Sequence, residues 1–573
     1  MALFFRRRLA ALDLDTSESF DCFDAIGHGL YQQRLFFLTF VFSFLVHVNI
    51  LAFYLISGDV DHWCRPPADW TMSVAAWRNS AIPLEADGSP SQCTVYKNPG
   101  DPNDTEVVAC DRWDYDPKNE KRTIVSAWNL VCHRRPLIAV IQLVSLAGSV
   151  VLPSIAGYLA DCVGRRPVLL MSAAMLIVGT CGSCFADTYV VYVVMRFVNS
   201  GCAGAAALVS CMLAFEVTRH EYRTTYTVAV TLMAVLLSEL WGDMVRQLSL
   251  EKFLLQAIFL APTAVAFSTF WFADESARWL IFSRKMTSAE AVMLVAAKMN
   301  NVPLPTTACL LNKLKAEALK CEERLRTPAM RGENSWANYI PLRAHFMFVT
   351  YFSASFTYVV LLQSSLKTLD SWARWLSLSA NMLTTLLTYT LIGRVRPLEL
   401  LMRSCGLLGG LVCLLSVTIE SPVAVLAQLI FIPAEAFALA INVLAGVSVC
   451  EVFPTAVRGT ALGWSFGIGR VGGVCATFAS VLRNIGREDV SLAIAACMMF
   501  LSLAALIWMP GKNTGPTINL RKISVTCSQS LDHMKMTLEP QDYRKHDRSR
   551  ASYDSRKSNL SLSSRKHSDF WDT

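Results

Sequence analysis

Hydrophobic positions along this chain come in long runs, without the alternation of strands or the narrow stripe of surface helices. Apolar runs cover 35–56, 137–160, 168–186, 189–215, 224–245, 253–272, 345–365, 373–392, 400–419, 422–449, 459–482 and 490–509. A helix rises ~1.5 Å per residue, so about 20 apolar residues cross a hydrocarbon layer ~30 Å thick. The pattern predicts an all-α membrane protein of twelve transmembrane helices. The run 422–449 is longer than needed and predicts a tilted span.

The polar segments give the topology. An even number of spans puts both termini on one side. Arg6 to Arg8, Arg165, Arg166, Arg219, Arg223, Arg394, Arg396 and Arg458 then share that side, which the positive-inside rule makes the cytosol. The long segment of about 57–136 falls outside. It holds Cys64, Cys93, Cys110 and Cys132 and the glycosylation acceptor Asn103-Asp104-Thr105, both marks of an oxidising compartment. Four cysteines imply two disulfides with the pairing left open. Most of the other cysteines lie in or beside apolar runs, as small core residues. The first 34 residues lack the basic-then-apolar order of a cleavable signal, so the first span is expected to act as an uncleaved anchor.

These boundaries divide the chain into a cytosolic segment 1–34, a six-helix bundle 35–272, a cytosolic loop 273–344, a second bundle 345–509 and a tail 510–573. Within the loop, 289–299 and 310–325 read as amphipathic helices. The tail is rich in Ser, Arg, Lys and Asp and reads as disordered, with Ser-Arg clusters open to phosphorylation.

Composition agrees. Of 573 residues, 53% are hydrophobic and 17% charged, against ~25% charged in soluble domains. The mean hydropathy of +0.38 is too high for one soluble core of this length. The net charge of +7 is read alongside the basic segments that set topology and implies no nucleic-acid partner.

Two motifs recur. Gly164-Arg165-Arg166-Pro167 follows the second span, and Gly393-Arg394-Val395-Arg396-Pro397 follows the eighth. Glu216-Val217 with Arg223 follows the fourth, and Glu451-Val452 with Arg458 follows the tenth. Same order and near-equal separation predict two pseudo-symmetric six-helix bundles with a site between them.

Gly157 to Arg166 also matches the loop motif G-x-x-x-D-R-x-G-R-R of the major facilitator superfamily, with Cys162 in place of the first arginine. Within it the chain resembles the organic cation/organic anion/carnitine transporter family. The matching stretches are Gly27-x-Gly29-x-Tyr31-Gln32, Trp113-Asp114-Tyr115-Asp116, Thr123 to Cys132, Glu275 to Leu280 and Glu451 to Thr455. The resemblance implies the major facilitator fold and alternating-access transport of small organic ions at the plasma membrane. A coupling ion or counter-substrate would be a further partner. It implies no enzyme and no cofactor, and the sequence has no P-loop, zinc-ligand spacing or nucleophile elbow in a plausible context.

Asp161 beside arginines suggests ion pairs that shut one end and break when the halves rock. Gly164, Arg165, Arg166, Glu216, Arg223, Arg394, Glu451 and Arg458 are assigned to that conformational set. Arg196, followed by Gly201 and Gly204, joins it. The alternative is that these arginines only set topology. In the second repeat Thr390 stands where the first has Asp161, which predicts a weaker lock there.

Substrate contact is assigned to polar groups near the midplane, where a charge costs about 2.5–3.5 kcal/mol. Arg470 follows Arg458 on one helix at a rise of about 18 Å, close to mid-membrane. Anion and carnitine carriers of the family resemble this chain in having arginine there, whereas cation carriers have aspartate. Arg470 therefore favours a carboxylate-bearing or zwitterionic substrate. Glu435 replaces a usual Lys or Arg. It is expected to pair with Arg470, meet a cationic head group or take a proton. Glu239 and Asp243 share a face of the fifth span. Tyr351, Phe356 and Tyr358 form an aromatic stripe that reads as pocket wall or as core. His47 and Asn49 read as polar lining or as internally bonded. The competing functions are a neutral-solute or sugar porter, a receptor that keeps the fold without transporting, and a channel.

Overall fold

The computed structural model describes residues 28–302 and 335–509, apart from 59, 68–72, 86–87, 98–105, 117–122, 220–221, 248–257, 259–260, 284, 369–370, 393–397, 419–423, 454, 456 and 485–487. Asn103, Arg394, Arg396, the 310–325 helix, Arg6 to Arg8 and the tail lie outside the described residues.

Long helices dominate. They are α1 (Leu30–Ile56), α2 (Pro136–Val163), α3 (Arg165–Cys184), α4 (Tyr189–Val217) and α5 (Arg223–Gln247). A 3₁₀ turn, Val265–Ser268, runs into the short α6 (Thr269–Phe272). Then come α7 (Ser335–Thr368), α8 (Ser371–Ile392), α9 (Leu398–Thr418), α10 (Ala424–Val452), α11 (Arg458–Asn484) and α12 (Glu488–Trp508). Eight described stretches are long and apolar enough to cross a membrane. Helix α7 begins ten residues before the apolar run at 345, because a helix can project beyond the layer its apolar part fills.

Helix starts follow local chemistry. Pro136 opens α2, where its missing N–H costs nothing. The Thr188 hydroxyl accepts from Val191 N at 3.4 Å and caps α4. At α1 the Gln32 side chain reaches back to accept from Gly29 N at 3.0 Å.

Helices α1, α2, α3, α4 and α5 pack on one another, as do α7 to α12, and the two groups meet along α2–α11 and α5–α8. Exchanging the repeats carries one seam onto the other, as pseudo-two-fold symmetry requires. Outward faces are apolar. Helix α9 turns Leu400, Leu407, Leu411 and Leu414 outward, and α8 turns Met382, Leu383 and Leu386, which suits lipid.

The segment between α1 and α2 is a small disulfide-bonded cap. Strand β1 (His62–Cys64) pairs antiparallel with β4 (Trp113–Tyr115), and β2 (Thr94–Tyr96) with β3 (Val107–Ala109). Cys64 pairs with Cys110 and Cys93 with Cys132, at Cα–Cα distances of 5.6 and 5.5 Å. Trp113, Ile124 and Leu130 of the cap bury against Val48, Ala52 and Ile56 of α1. Trp128 lies 5.0 Å, ring to ring, from Tyr192 of α4. This end is the disulfide face, and the end bearing Arg165, Arg223 and Arg458 is the basic face.

Candidate functional site

A cavity of about 190 Å³ lies between the halves, walled by α1, α2, α4, α5, α7, α10 and α11. Arg470 of α11 lines it, its guanidinium 4.7 Å from the centre of the Phe466 ring. Among the described residues it makes no ion pair and no hydrogen bond. Tyr351 also lines the cavity. It sits there because Gly446 and Gly469 leave room: a Cβ on either would stand 3.4 or 3.1 Å from its atoms.

Glu239 of α5 meets the opposite half. It accepts from Tyr358 Oη of α7 at 3.4 Å and from Asn381 Nδ2 of α8 at 3.2 Å. Tyr358 and Glu239 both line the cavity. Glu435 does not. It is 2% exposed, behind the wall, and accepts from Ser377 Oγ at 2.9 Å, and no ion pair joins it to Arg470 among the described residues. Phe356 packs instead with Ala476, Ala479 and Ala495 between α7, α11 and α12. His47 and Asn49 do both things considered for them. They line the cavity and bond to Ser43 O and Leu45 O of their own helix, each at 2.9 Å.

Arg196 lines the cavity nearer the disulfide face. It donates to Asn49 O at 3.1 Å, while Asn199 Nδ2 donates to Asn49 Oδ1 at 3.0 Å. Above it, Tyr54 Oη of α1 accepts from Gln363 Nε2 of α7 at 2.8 Å and from Gln142 Nε2 of α2 at 3.3 Å.

The basic face is shut by charge. Asp161 ends α2 and caps α11 of the other half, accepting from Gly459 N at 3.1 Å and from Thr460 N and Oγ1, both at 2.7 Å. A carboxylate at a helix N-terminus meets free N–H groups and the positive end of the helix dipole. Glu216 of α4 takes Arg165 at 3.1 Å and Arg458 at 3.0 Å, with Arg165 and Glu216 wholly buried. Thr224 of α5 donates to Glu451 of α10. Arg223 and Arg458 flank the Phe215 ring at 4.6 and 5.5 Å. Thus each copy of the Glu…Arg motif contacts the other half. Glycines let the seam close: a Cβ on Gly157 would come within 2.1 Å of Gly459 O.

Residues 119–514, more than half the chain, match the family model described as "Sugar (and other) transporter". The chain belongs to this family.

Relatives narrow it. The chain is 26% identical over 517 residues to solute carrier family 22 member 7 of Bos taurus, covering 84% of this chain and 91% of that one. It is 26% identical over 310 residues to organic anion transporter 3 of Homo sapiens, covering 53% and 55%. In fold it is similar to the E. coli proton:xylose symporter XylE, with a TM-score of 0.58 at 15% identity, covering 84% and 96%. The chain therefore has the twelve-helix major facilitator fold of two six-helix bundles, and it is a membrane transporter of this family and not an enzyme. The sugar-porter alternative is disfavoured, because the relative matched over most of both chains is a solute carrier family 22 member.

Several family stretches now have a structural reason. Gly29 faces Asn300, which ends the helix Met286–Met299. A Cβ would stand 2.5 Å from Asn300 Oδ1, which accepts from Tyr31 N at 3.1 Å. That helix is thereby tied to the start of α1. Glu275 accepts from the backbone of Arg165 at 2.8 Å and Arg166 at 3.2 Å, capping α3. Burial pushes the Glu275 carboxyl up, opposed by those N–H groups and by Arg165. Gly164 has φ +128°, a glycine region, and a Cβ would strike Glu275. Sequence reasoning missed Tyr54, Gln142, Gln363, Ser377 and Asn381. Glutamine, asparagine and serine inside apolar runs were the available signal.

Proposed function

We propose that this transporter carries small organic ions bearing a carboxylate, anions or zwitterions, by alternating access across the plasma membrane, with its basic face cytosolic. The carrying observation is Arg470: a fixed positive charge on the wall of a mid-bundle cavity, stacked on Phe466 and without a counter-charge among the described residues. Burying a cation without a partner is costly, and a carboxylate that binds guanidinium through two parallel hydrogen bonds offsets that cost. Tyr358 and Glu239 on the far wall suit the ammonium end of a zwitterion, since an aromatic face and a carboxylate both attract it. The solute carrier 22 relatives and the human organic anion transporter 3 support the same substrate class.

Transport then needs the Asp161–α11 cap and the Glu216–Arg458 pair to open while Tyr54, Gln142 and Gln363 draw the disulfide face together. Asp161, Arg165, Arg166, Arg196, Glu216, Arg223, Arg394, Glu451 and Arg458 act as the conformational set. The cap is extracellular in this orientation, with Asn103 as its glycosylation acceptor.

The test is saturable uptake into proteoliposomes of a labelled aromatic carboxylate, a quaternary ammonium and carnitine. Wild type is expected to take up the carboxylate or the zwitterion. Arg470→Asp abolishes anion uptake with normal membrane insertion, and Glu435→Lys shifts preference further toward anions. Uptake of the quaternary ammonium alone, or unchanged charge preference in Arg470→Asp, overturns the reading.

A further inference from the structure

Two carboxylates from opposite halves end on one turn of α8. Glu239 reaches Asn381 and Glu435 reaches Ser377. Residues four apart on a helix are neighbours about 5–6 Å apart, so the acids converge from α5 and α10 on the same turn. Glu435 is 2% exposed, Glu239 faces the cavity, and no ion pair involves Glu239 among the described residues. Two negative groups converging on one turn are unfavourable unless something neutralises one of them.

A second, independent observation lies at the same place. Asn381 is 1% exposed, and its Nδ2 is committed to Glu239, yet its Oδ1 has no hydrogen-bond partner. A buried amide oxygen left unpaired is costly. It can only be satisfied by a donor or a cation. Carboxylate, amide carbonyl and hydroxyl oxygens together, with no nitrogen or sulfur donor, suit a hard cation.

We infer that Glu239, Glu435 and the Asn381 amide oxygen form a binding site for one small cation, Na⁺ or a proton, with Ser377 Oγ and Tyr358 Oη at its edge. The groups facing it are Tyr358 of α7, Ser377 and Asn381 of α8, Glu435 of α10 and Asp243 on Glu239's own helix, with Arg470 beyond Tyr358. Because Glu239 belongs to one half and the other donors to its counterpart, an occupied site ties the halves together at the α5–α8 seam. Ion sites at the interface of repeats are where coupling is expected. Neutralising this wall also leaves Arg470 as the dominant charge of the cavity.

The site is testable without any transport assay. Thermal unfolding of the purified full chain in nanodiscs is measured in choline chloride and in NaCl at equal ionic strength, and in Na⁺-free buffer at pH 7.5 and 5.5. Retention of ²²Na⁺ by the same samples separates the two sources. A rise in Tm of several degrees with Na⁺, together with ²²Na⁺ retention, assigns sodium. A rise on acidification alone, without retention, assigns a proton. Either response must be lost in Glu239→Gln and reduced in Asn381→Leu. If one variant does not fold, Glu435→Gln serves in its place. No response in wild type, or an equal response in the variants, overturns the site. Because uptake is not the readout, the result stands apart from the substrate assignment.

Discussion

At the scale of single residues, charge position decides most of what the cavity can do. Arg470→Lys keeps the charge and loses the planar fork, so carboxylate binding falls while charge selection survives. KM for a carboxylate substrate is expected to rise about tenfold, one bidentate hydrogen bond's worth of free energy, with quaternary ammonium uptake still absent. An unchanged KM would mean that Arg470 acts only through its charge. Asp161→Asn keeps an acceptor but removes the charge from the start of α11, where it is worth up to ~2 kcal/mol in a partly buried site. The basic face should then open more often. A cysteine placed at Val447 on the cavity wall, in a background without other reactive thiols, should react with an aqueous maleimide from that face about tenfold faster than in the parent.

Elements show what the sequence made legible. Helix positions were readable because an apolar run of spanning length has few alternatives in lipid, where every backbone polar group must pair within its own helix. The repeat was readable because Glu216/Arg223 and Glu451/Arg458 sit at matching helix ends. What could not be read was pairing across halves. Nothing local says that Glu216 selects Arg458 of the other bundle, that Glu239 meets Asn381, or that Glu435 turns from Arg470 toward Ser377. Those contacts depend on how two bundles dock, which no sequence period encodes. Phe356 falls on the core side of its two readings for a related reason: its helix is covered on two sides, and a stripe at helical spacing does not say which side holds the cavity. Glycine spacing carries the docking signal that was available. Gly157, Gly459 and Gly463 let α2 and α11 touch backbone to backbone. Gly157→Val is predicted to prevent that contact, since its Cβ would fall 2.1 Å from Gly459 O. Maleimide labelling at Val447 should increase as in Asp161→Asn, and uptake should fall at least tenfold with normal insertion. Wild-type labelling would show that the closed seam is not a working state.

For the molecule as a whole, the two ends are closed by different chemistry. The basic face uses buried ions: Glu216 with Arg165 and Arg458, all within 3.1 Å, and Asp161 on the α11 N-terminus. The disulfide face uses neutral amides on one phenol, Gln142 and Gln363 on Tyr54. A neutral hydrogen bond contributes about 0.5–1.5 kcal/mol net, whereas removing one partner of a buried ion pair costs about 3–5 kcal/mol because the other charge is stranded. The resting protein should therefore stand closed at the basic face, with the disulfide face the easier one to open. Tyr54→Phe is expected to change the rate of substrate exchange at the disulfide face by no more than about tenfold and to leave Tm nearly unchanged. Arg458→Gln leaves Glu216 with Arg165 alone and cuts its tie to the other half, so it should lower Tm and open the basic face to maleimide. Raising ionic strength should not mimic it, because buried charges are poorly screened. If salt alone opened the basic face, the Glu216–Arg458 pair would have to be solvent-exposed in the working protein, and the difference between the two ends would lose its physical basis.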